Sequence, residues 1–308
     1  MEKIIMTFQV KPEQEGIRID KYLGMCQKEL SRSYLQKLIK DQAVLMNGKT
    51  VIAKEKTIKD AVIHVEVPKP EPLEIKPEPI PLAILYEDQD IIVINKGKDM
   101  VVHPAAGHMS GTIVNALLYH CKGELSGING IMRPGIVHRI DRNTTGVIVA
   151  CKNDKAHHKI AEQLKEHSIT RKYMAIVHGN FQEETGSVQV PIGRDPSERK
   201  KMAVNWKNGK EAITHYRLLE SLKHQLSYIE CQLETGRTHQ IRVHMAWIHH
   251  PLLGDDVYGR TSDQKYHLIG QVLHAGVLGF IHPSTGKYME FRAQLPEYFQ
   301  ELLDKFRL

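Results

Sequence analysis

Residues 221–250 read SLKHQLSYIECQLETGRTHQIRVHMAWIHH, and their apolar pattern changes midway. In the first half, apolar and polar residues alternate as they do in a half-buried β-strand. In the second half the spacing becomes helical, with Ile241, Met245 and Ile248 on one face, and Thr238 is the predicted N-cap. This stretch therefore predicts a strand that passes through a short loop into a helix.

The segments before this stretch favour an α+β fold. Two apolar strands, at 84–86 and 91–96, are joined by an acidic turn, and GTIVNALLYHCK (111–122) has helical spacing. No internal repeat is present, and strands alternate with helices too rarely for a doubly wound sheet. We predict a mixed, mainly antiparallel β-sheet domain with a central cleft.

A proline-rich segment, PKPEPLEIKPEPIP, divides the chain. It holds six of the 14 prolines, and proline removes backbone donors and favours an extended chain. We therefore predict a small α/β module at 1–67, a semi-rigid linker outside any core at 68–81, and a larger domain at 82–308. The small module contains two helical stripes, the second with Ser31 or Ser33 as its N-cap, followed by a short strand and an Asn47-Gly48 turn.

The composition predicts a soluble, cytoplasmic protein. The 308 residues carry a formal net charge of +6, which favours a polyanionic partner. The four cysteines lie far apart without a C-x-x-C pair, as is typical of reduced thiols. No signal peptide and no apolar run of membrane-spanning length is present, so we predict no membrane association.

One carboxylate stands out in GIVHRIDRNTTGVIVACKND, residues 135–154. Two apolar runs, predicted as the strands of a hairpin, flank a polar centre in which Asp141 lies between Arg139 and Arg142. An ordinary polar turn is one interpretation, since Asp, Asn and Thr are common turn residues. The other is catalytic: neighbouring cations keep a carboxylate ionised, which suits a nucleophile better than a proton donor.

Other catalytic motifs are absent from the sequence. It contains no G-x-x-x-x-G-K-[ST], G-x-G-x-x-G or G-x-S-x-G segment. Of the 18 histidines, no two are three or four residues apart, so the helical zinc-ligand spacing is missing. We predict a mechanism without a metal, a nucleotide or any other cofactor.

The N-terminal segment IRIDKYLGMCQKELSRSYLQKLIKDQAVLMNGKTV is similar to a small RNA-binding module named after a small-subunit ribosomal protein. That family has an R-[IL]-D-K-[FY]-L opening, an S-R-S-x-x-[QK]-x-L-I helix and a V-x-V-N-G-K turn. The resemblance implies a face that binds structured RNA and carries Arg32, Lys37 and Lys40. A solvated helix face is the alternative interpretation of these three residues.

The larger domain resembles the RNA pseudouridine synthases. GIVHRIDRNTTGVIVACKN is similar to their H-R-L-D-x-x-T-S-G-[LV] motif, RKYMAIVHG to [KR]-x-Y-x-A-x-V-x-G, and LETGRTHQIRVHMAWIHHPLLGDDVYG to T-G-R-x-H-Q-[IL]-R-x-H…H-P-[IL]-x-G-D-x-x-Y-G. The motifs occur in the family's order, and the resemblance covers roughly residues 80 to 295. Ile140 and Thr145 depart conservatively from the family's Leu and Ser. With the RNA-binding module in front, the arrangement resembles the ribosomal large-subunit pseudouridine synthase D subfamily.

The resemblance implies a role for each matched residue. Asp141 would be the catalytic carboxylate acting on a flipped uridine, by attack on sugar or base or by proton abstraction. Arg139 would enter the space that the base vacates, Tyr173 would stack on the uracil and could remove a proton, and Arg242 would pair with Asp141. RNA contacts are further expected from Arg142, Arg237, His239, Arg199, Lys200 and Lys201.

Three functions remain to be weighed. An RNA-modifying isomerase, acting as a monomer on uridines of a large-subunit ribosomal RNA stem-loop, fits all the motifs. A non-catalytic RNA-binding or ribosome-assembly protein would not need a buried ionised acid, which is costly to keep. A hydrolase would need two carboxylates or a metal, and the adjacent pair Asp255-Asp256 belongs to a turn of the third motif. The loop RDPSERKK (194–201) is either a charged surface turn or a phosphate-binding edge of the cleft.

Overall fold

The computed structural model describes residues 3–27, 30–68, 75–105, 107–130, 133–198 and 201–308. The chain forms two units, Met1–Leu73 and Glu74–Leu308, so the division falls inside the proline-rich segment. In the described part of the chain, no helix is long and apolar enough to cross a membrane.

The N-terminal unit packs two helices on a small antiparallel sheet. Its described elements are β1 (Lys3–Gln9), α1 (Ile19–Cys26), α2 (Arg32–Lys40), β2 (Val44–Met46), β3 (Lys49–Thr50) and β4 (Val62–Pro68), with the strand order β1-β4-β2-β3. Ser31 caps α2, its hydroxyl accepting the Tyr34 N–H, as one of the two predicted caps. Leu35 and Leu38 of α2 pack against Ile63 of β4 in a common core. Both predicted helices and the Asn47-Gly48 turn are confirmed.

The larger unit is built mainly from strands. Its described elements are β5 (Ile84–Glu87), β6 (Ile91–Lys96), α3 (Ile113–His120), β7 (Thr145–Cys151), α4 (Asp154–Lys165), β8 (Thr170–His178), β9 (Thr185–Gln189), β10 (Ile192–Arg194), β11 (Met202–Val204), β12 (Ile213–Leu222), β13 (Leu226–Leu233), α5 (Gln240–Trp247), β14 (Leu273–Ile281), β15 (Tyr288–Arg292) and α6 (Glu297–Phe306).

Nine of these strands form one sheet in the order β5-β6-β7-β14-β8-β13-β12-β9, with β15 also paired to β14. All described neighbours are antiparallel except β7 and β14, which pair in parallel through Thr145–His274 and Gly146–Ala275. Gly146 permits this contact, because its φ is +113° and a Cβ there would collide with the carbonyl of Ala275. The predicted mixed, mainly antiparallel α+β fold is confirmed.

The continuous apolar runs of β6 and β7 follow from burial on both faces. One face, with Ile92 and Ile148, packs against α3; the other, with Val93 and Val147, packs against α4. A sheet covered on both sides selects apolar residues at every position instead of every second one.

Three expectations about local structure are wrong. The strand predicted from 221 begins at Leu226, because residues 223–225 turn the β12–β13 hairpin with His224 and Gln225 at positive φ. The expected hairpin at 135–154 contains one strand, β7; before it, Ile136 makes a single bridge to Ala150. The third concerns the linker.

The C-terminal part of the proline-rich segment packs on the larger unit. Ile75 is buried in the core beside α3, and the Glu78 N–H donates to the carbonyl of Asn115. Asn115 in turn donates its side-chain amide to the carbonyl of Lys76. Proline removes donors from the segment, but its buried isoleucine, the Glu78 N–H and the Lys76 carbonyl still find partners. Residues 75–81 are therefore not a free linker.

Candidate active site

The loop before β7 presents Asp141 as the first residue of a tight turn. The Thr144 N–H donates to the Asp141 carbonyl at 3.0 Å, and Ile140 is buried beside the carboxylate. The Asp141 side chain is 18% exposed, so it is held in place yet accessible. Its Oδ2 accepts a hydrogen bond from Nη1 of Arg242 at 3.2 Å, which is the contact implied by the resemblance.

Arg242 is held by a second, fully buried carboxylate. Its Nε and Nη2 donate to the two oxygens of Asp255 at 2.7 and 2.8 Å. The N–H groups of Val257 and Tyr258 also donate to Asp255. Burial acts to raise the pKa of Asp255, but the hydrogen bonds from Arg242 and from these backbone groups outweigh it and lower that pKa. Asp255 thereby fixes the guanidinium in the orientation in which it also contacts Asp141.

Helix α5 carries Arg242 into the site, but Thr238 does not cap it. The N-cap is His239, whose φ of 58° is left-handed and whose side chain makes no capping hydrogen bond. Gln240 fixes the entry instead: its Oε1 accepts the Arg237 N–H, and its amide donates to the Ile213 carbonyl and the Thr214 hydroxyl. The imidazole of His239 is thus free to face Asp141.

His239 and Tyr258 form a hydrogen-bonded pair above the carboxylate. The Tyr258 hydroxyl accepts the Met202 N–H and lies 2.9 Å from Nδ1 of His239, within hydrogen-bond distance. Nε2 of His239 lies 3.9 Å from Asp141 Oδ1. Burial lowers the pKa of His239, although Asp141 acts in the opposite direction. A neutral imidazole beside Asp141 is the expected state at neutral pH.

Tyr173 lies on β8 and lines the same small cavity as Asp141 and Arg242. It packs in the core with Ile140 and Leu233 and is 9% exposed. Burial raises the pKa of its phenol. A protonated phenol is a poor proton acceptor, so this environment supports the expected stacking role more than the expected proton removal.

Lys96 anchors the loop that carries Asp141. It is 1% exposed at the end of β6, and its Nζ donates to the carbonyls of Gly97, Met100 and Arg142 at 2.7, 3.0 and 2.9 Å. Burial lowers the pKa of Lys96 to about 7. Because Arg142 follows Asp141 directly, this cation ties the position of the carboxylate to the neighbouring turn.

The arginines that flank Asp141 in sequence do not hold it. Arg142 pairs with Asp99 at 2.7 Å in an exposed ion pair, and Arg139 lies against His103 at 3.0 Å. The expectation that these two neighbours keep the acid ionised is wrong, since Arg242, about a hundred residues away in sequence, makes the contact.

The other residues predicted to contact RNA are distributed over both units. Arg237 lines the cleft and donates its Nε to the carbonyl of Glu211. Lys201 lies 5.4 Å from the ring of Tyr258, so the basic loop reaches the site; Arg199 and Lys200 lie outside the described residues. In the N-terminal unit, Lys37 and Lys40 are exposed, whereas Arg32 pairs with the buried carboxylate of Asp20 at 2.9 Å.

The sequence does not predict the contacts of Asp255 and Lys96. It places Asp255 only in the turn of the third motif, and a separation of 13 positions from Arg242 gives no local signal that the two side chains pair. Lys96 ends a strongly apolar strand, where a lysine is most easily interpreted as reaching solvent. A lysine at the end of a strand that begins with four consecutive apolar residues, separated from them by Asn95 alone, is the available signal for an unusual environment.

One group of the described residues has the donor types of a metal site. Asp88, Asp90 and His282 bring one ligand atom each within 4.8 Å of one another. Asp88, however, already accepts hydrogen bonds from two backbone N–H groups, from Tyr86 and from His282. Internal hydrogen bonds therefore account for this group.

We expect the pairing of Asp255 with Arg242 to dominate the acid sensitivity of the larger unit. Because the folded-state pKa of Asp255 is lowered, its contribution is fully present above the unfolded value of about 3.9 and is lost as pH falls through the lower folded value. Asp255→Asn should cost about 3 kcal/mol at pH 7, with the difference from wild type shrinking below about pH 4. Urea unfolding between pH 2.5 and 7 measures it; a constant difference would contradict it.

Comparison with known proteins identifies the family to which this site belongs. A model of the RNA pseudouridylate synthase family matches residues 90–247. The chain belongs to this family and is an RNA pseudouridine synthase, an isomerase.

Two bacterial relatives and one human structure illustrate the similarity. The RNA pseudouridine synthase YlyB of Bacillus subtilis is 50% identical, with 96% of each chain covered. Ribosomal large subunit pseudouridine synthase D of Zymomonas mobilis is 47% identical, with 94% of each chain covered. The solved human RNA pseudouridylate synthase domain containing 1 has a TM-score of 0.59 and 25% identity, and the match covers 78% of this chain and 91% of that one.

Proposed function

We propose that this chain isomerises specific uridines of large-subunit ribosomal RNA, with Asp141 as the catalytic carboxylate. The observation that carries the proposal is the geometry of Asp141: partly exposed, beside Tyr173, and hydrogen-bonded to an arginine that Asp255 already fixes. The similarity to the Zymomonas mobilis enzyme over nearly the whole chain supports the choice of RNA. Such a substrate places the enzyme in the cytoplasm.

The reaction is a rearrangement within one nucleotide. The N1–C1′ bond breaks, the uracil turns, a C5–C1′ bond forms, and the C5 proton is lost while N1 gains one. No atom is added overall, so the chain's own residues can supply the chemistry. Asp141 can stabilise or attack the reacting centre, and Arg242 keeps its carboxylate oriented through the 3.2 Å hydrogen bond.

The uridine must leave its stack before Asp141 can reach it. Extruding a nucleotide costs a few kcal/mol and costs least in loops. Tyr173 is placed to stack on the extruded base, a contact worth about 1–3 kcal/mol. Arg139, exposed at the mouth of the same cavity, is placed to occupy the vacated position in the RNA.

We assign RNA binding to the N-terminal module at 1–67, with 68–81 connecting it to the catalytic domain at 82–308. Lys37 and Lys40 lie in the last turn of α2 and are exposed, so they can contact phosphates. Arg32 contributes through the part of its side chain that remains exposed beside Asp20; the side chain is 62% exposed overall. All site residues come from one chain, so a monomer suffices.

The alternative is a non-catalytic RNA-binding or ribosome-assembly protein. It predicts a similar basic surface but gives no reason for the network of Asp141, Arg242 and Asp255. Burying these charges costs free energy, and binding RNA does not require it.

Pseudouridine mapping of ribosomal RNA tests the proposal. RNA from cells that lack the protein is labelled with carbodiimide and reverse transcribed, and the cells are complemented with wild type or Asp141→Ala. We expect a small number of large-subunit uridines to lose their modification and to regain it with wild type alone. An unchanged map would reject this RNA as substrate, and restoration by Asp141→Ala would reject the catalytic assignment.

A further inference from the structure

Arg171 is a buried cation without a carboxylate partner in the described part of the chain. It lies on β8 two residues before Tyr173, so both side chains emerge on the same face of the strand. Arg171 is 6% exposed, and its Nη2 donates to the carbonyl of Glu234 at 2.6 Å. Its buried Nε has no hydrogen-bond partner.

Burying this guanidinium costs free energy unless an anion pairs with it. Buried charges in proteins are normally paired, and a buried guanidinium N–H left without an acceptor loses its hydration for no return. The backbone next to it is also shaped for the group: a Cβ on Gly236 would lie 2.6 Å from Nη1 of Arg171. Because Gly236 has no side chain, the guanidinium has room beside it.

Arg171 lines a cavity of about 480 Å³ that Asp141 also lines. Arg139, Arg237 and Lys165 line this cavity as well, and Asp141 is the one acidic residue among its described lining residues. Asp141 and Tyr173 also line the smaller cavity around Arg242, so the two spaces are contiguous. The larger one is thus a strongly basic chamber beside the reacting nucleotide.

We propose that this chamber is a phosphodiester subsite, in which Arg171 binds a backbone phosphate directly adjacent to the target uridine. The inference rests on the proposed function, because it takes RNA as the ligand. A planar guanidinium matches two phosphate oxygens, and each nucleotide carries a phosphate on either side of the ribose whose C1′ reacts. Fixing one of them would align C1′ with Asp141 in a manner independent of base sequence.

The test combines a neutral linkage in the RNA with a neutral side chain in the protein. A stem-loop around a mapped uridine is made with normal phosphates, or with a single methylphosphonate 5′ or 3′ of that uridine. Equilibrium binding and kcat/KM for pseudouridine formation are measured for wild type, Arg171→Gln and the control Lys172→Gln. Lys172 is the next residue of β8, half-buried, and pairs with Glu230 at 3.5 Å.

We expect one of the two methylphosphonates to lower kcat/KM of wild type and Lys172→Gln by about 10- to 100-fold, the size of a charge-assisted hydrogen bond. Arg171→Gln should lose a similar factor on normal RNA and should be nearly insensitive to that methylphosphonate. If Arg171→Gln is weakened but keeps the full methylphosphonate penalty, its role is structural and the proposal is wrong. Wild type that tolerates both neutral linkages also overturns it.

Two further readouts keep the outcomes distinct. If Arg171→Gln does not fold, as judged by its thermal melt, Arg171→Lys replaces it and is judged in the same way, by whether its methylphosphonate penalty is smaller than that of wild type. If wild type forms no pseudouridine in normal RNA, the proposed function has failed. The binding measurements then test the phosphate contact by themselves, since a neutral linkage should still weaken binding to wild type and not to the variant.

Discussion

Replacing Asp141 with alanine should lower the rate of pseudouridine formation at least about a thousand-fold, because no other carboxylate of the described site can reach the same position. Asp255 is buried behind Arg242, with its oxygens occupied by the guanidinium and two backbone N–H groups. The fold should be spared: Arg242 remains neutralised by Asp255, and Asp141 is partly exposed. Release of tritium from RNA labelled at C5 of uridine, measured in a single turnover, follows the reaction directly.

Asp256→Ala is the matched control for this experiment. Asp256 also approaches Arg242, at 3.4 Å, but its side chain is 67% exposed. If the charge near Arg242 were what mattered, both variants would be slow. We expect Asp256→Ala to stay within about threefold of wild type, as is usual for exposed ion pairs. Measurable turnover by Asp141→Ala, at more than a few per cent of the wild-type rate, would contradict the assignment.

Replacing Arg242 with methionine should damage both stability and activity. The change leaves the fully buried carboxylate of Asp255 without its cation, a loss of about 3–5 kcal/mol, which corresponds to a decrease in Tm of roughly 6–20 °C for a domain of this size. Asp141 also loses its 3.2 Å hydrogen bond, so turnover should fall by about a hundred-fold or more. Calorimetry and the tritium-release assay measure the two effects separately.

A double variant separates the two roles of Arg242. In Arg242→Met combined with Asp255→Leu, no uncompensated charge remains in the core, and much of the lost stability should return. Activity should not return, because nothing then orients Asp141. Recovery of activity together with stability would mean that Arg242 serves the fold alone.

The site residues that could be predicted are those that lie inside recognisable motifs. The local pattern around Arg242 predicts a helix and no more; the roles of Tyr173, Arg242 and Asp141 come from the resemblance of their segments to the motifs of the family. Asp255 and Lys96 act through partners far away in sequence, 13 residues from Arg242 for Asp255 and 46 residues from Arg142 for Lys96. No local pattern specifies such partners, so the structure was needed to find them.

The same limit explains the errors in the fold. Residues 223–225 are three consecutive polar residues, Lys223, His224 and Gln225, so the alternation is interrupted where positive φ at His224 and Gln225 turns the chain. Without a glycine, proline or asparagine in it, this short polar run is a weak turn signal inside a longer alternating stretch. Arg139 and Arg142 lie within two residues of Asp141 in sequence, but the loop conformation directs them to His103 and Asp99. Proximity along a chain is weak evidence for contact when the segment is irregular.

The position of β14 has a consequence for when the enzyme becomes active during synthesis. This strand lies between β7, which follows Asp141, and β8, which carries Tyr173 and adjoins the part of the sheet that leads to Arg242. Residues 82–151 and 170–247 can each form hairpins as they emerge, but the sheet joins them only through β14, residues 273–281, which come later in the chain. Asp141 and Tyr173 should therefore be brought into their final arrangement only after β14 has been synthesised and has paired with both β7 and β8.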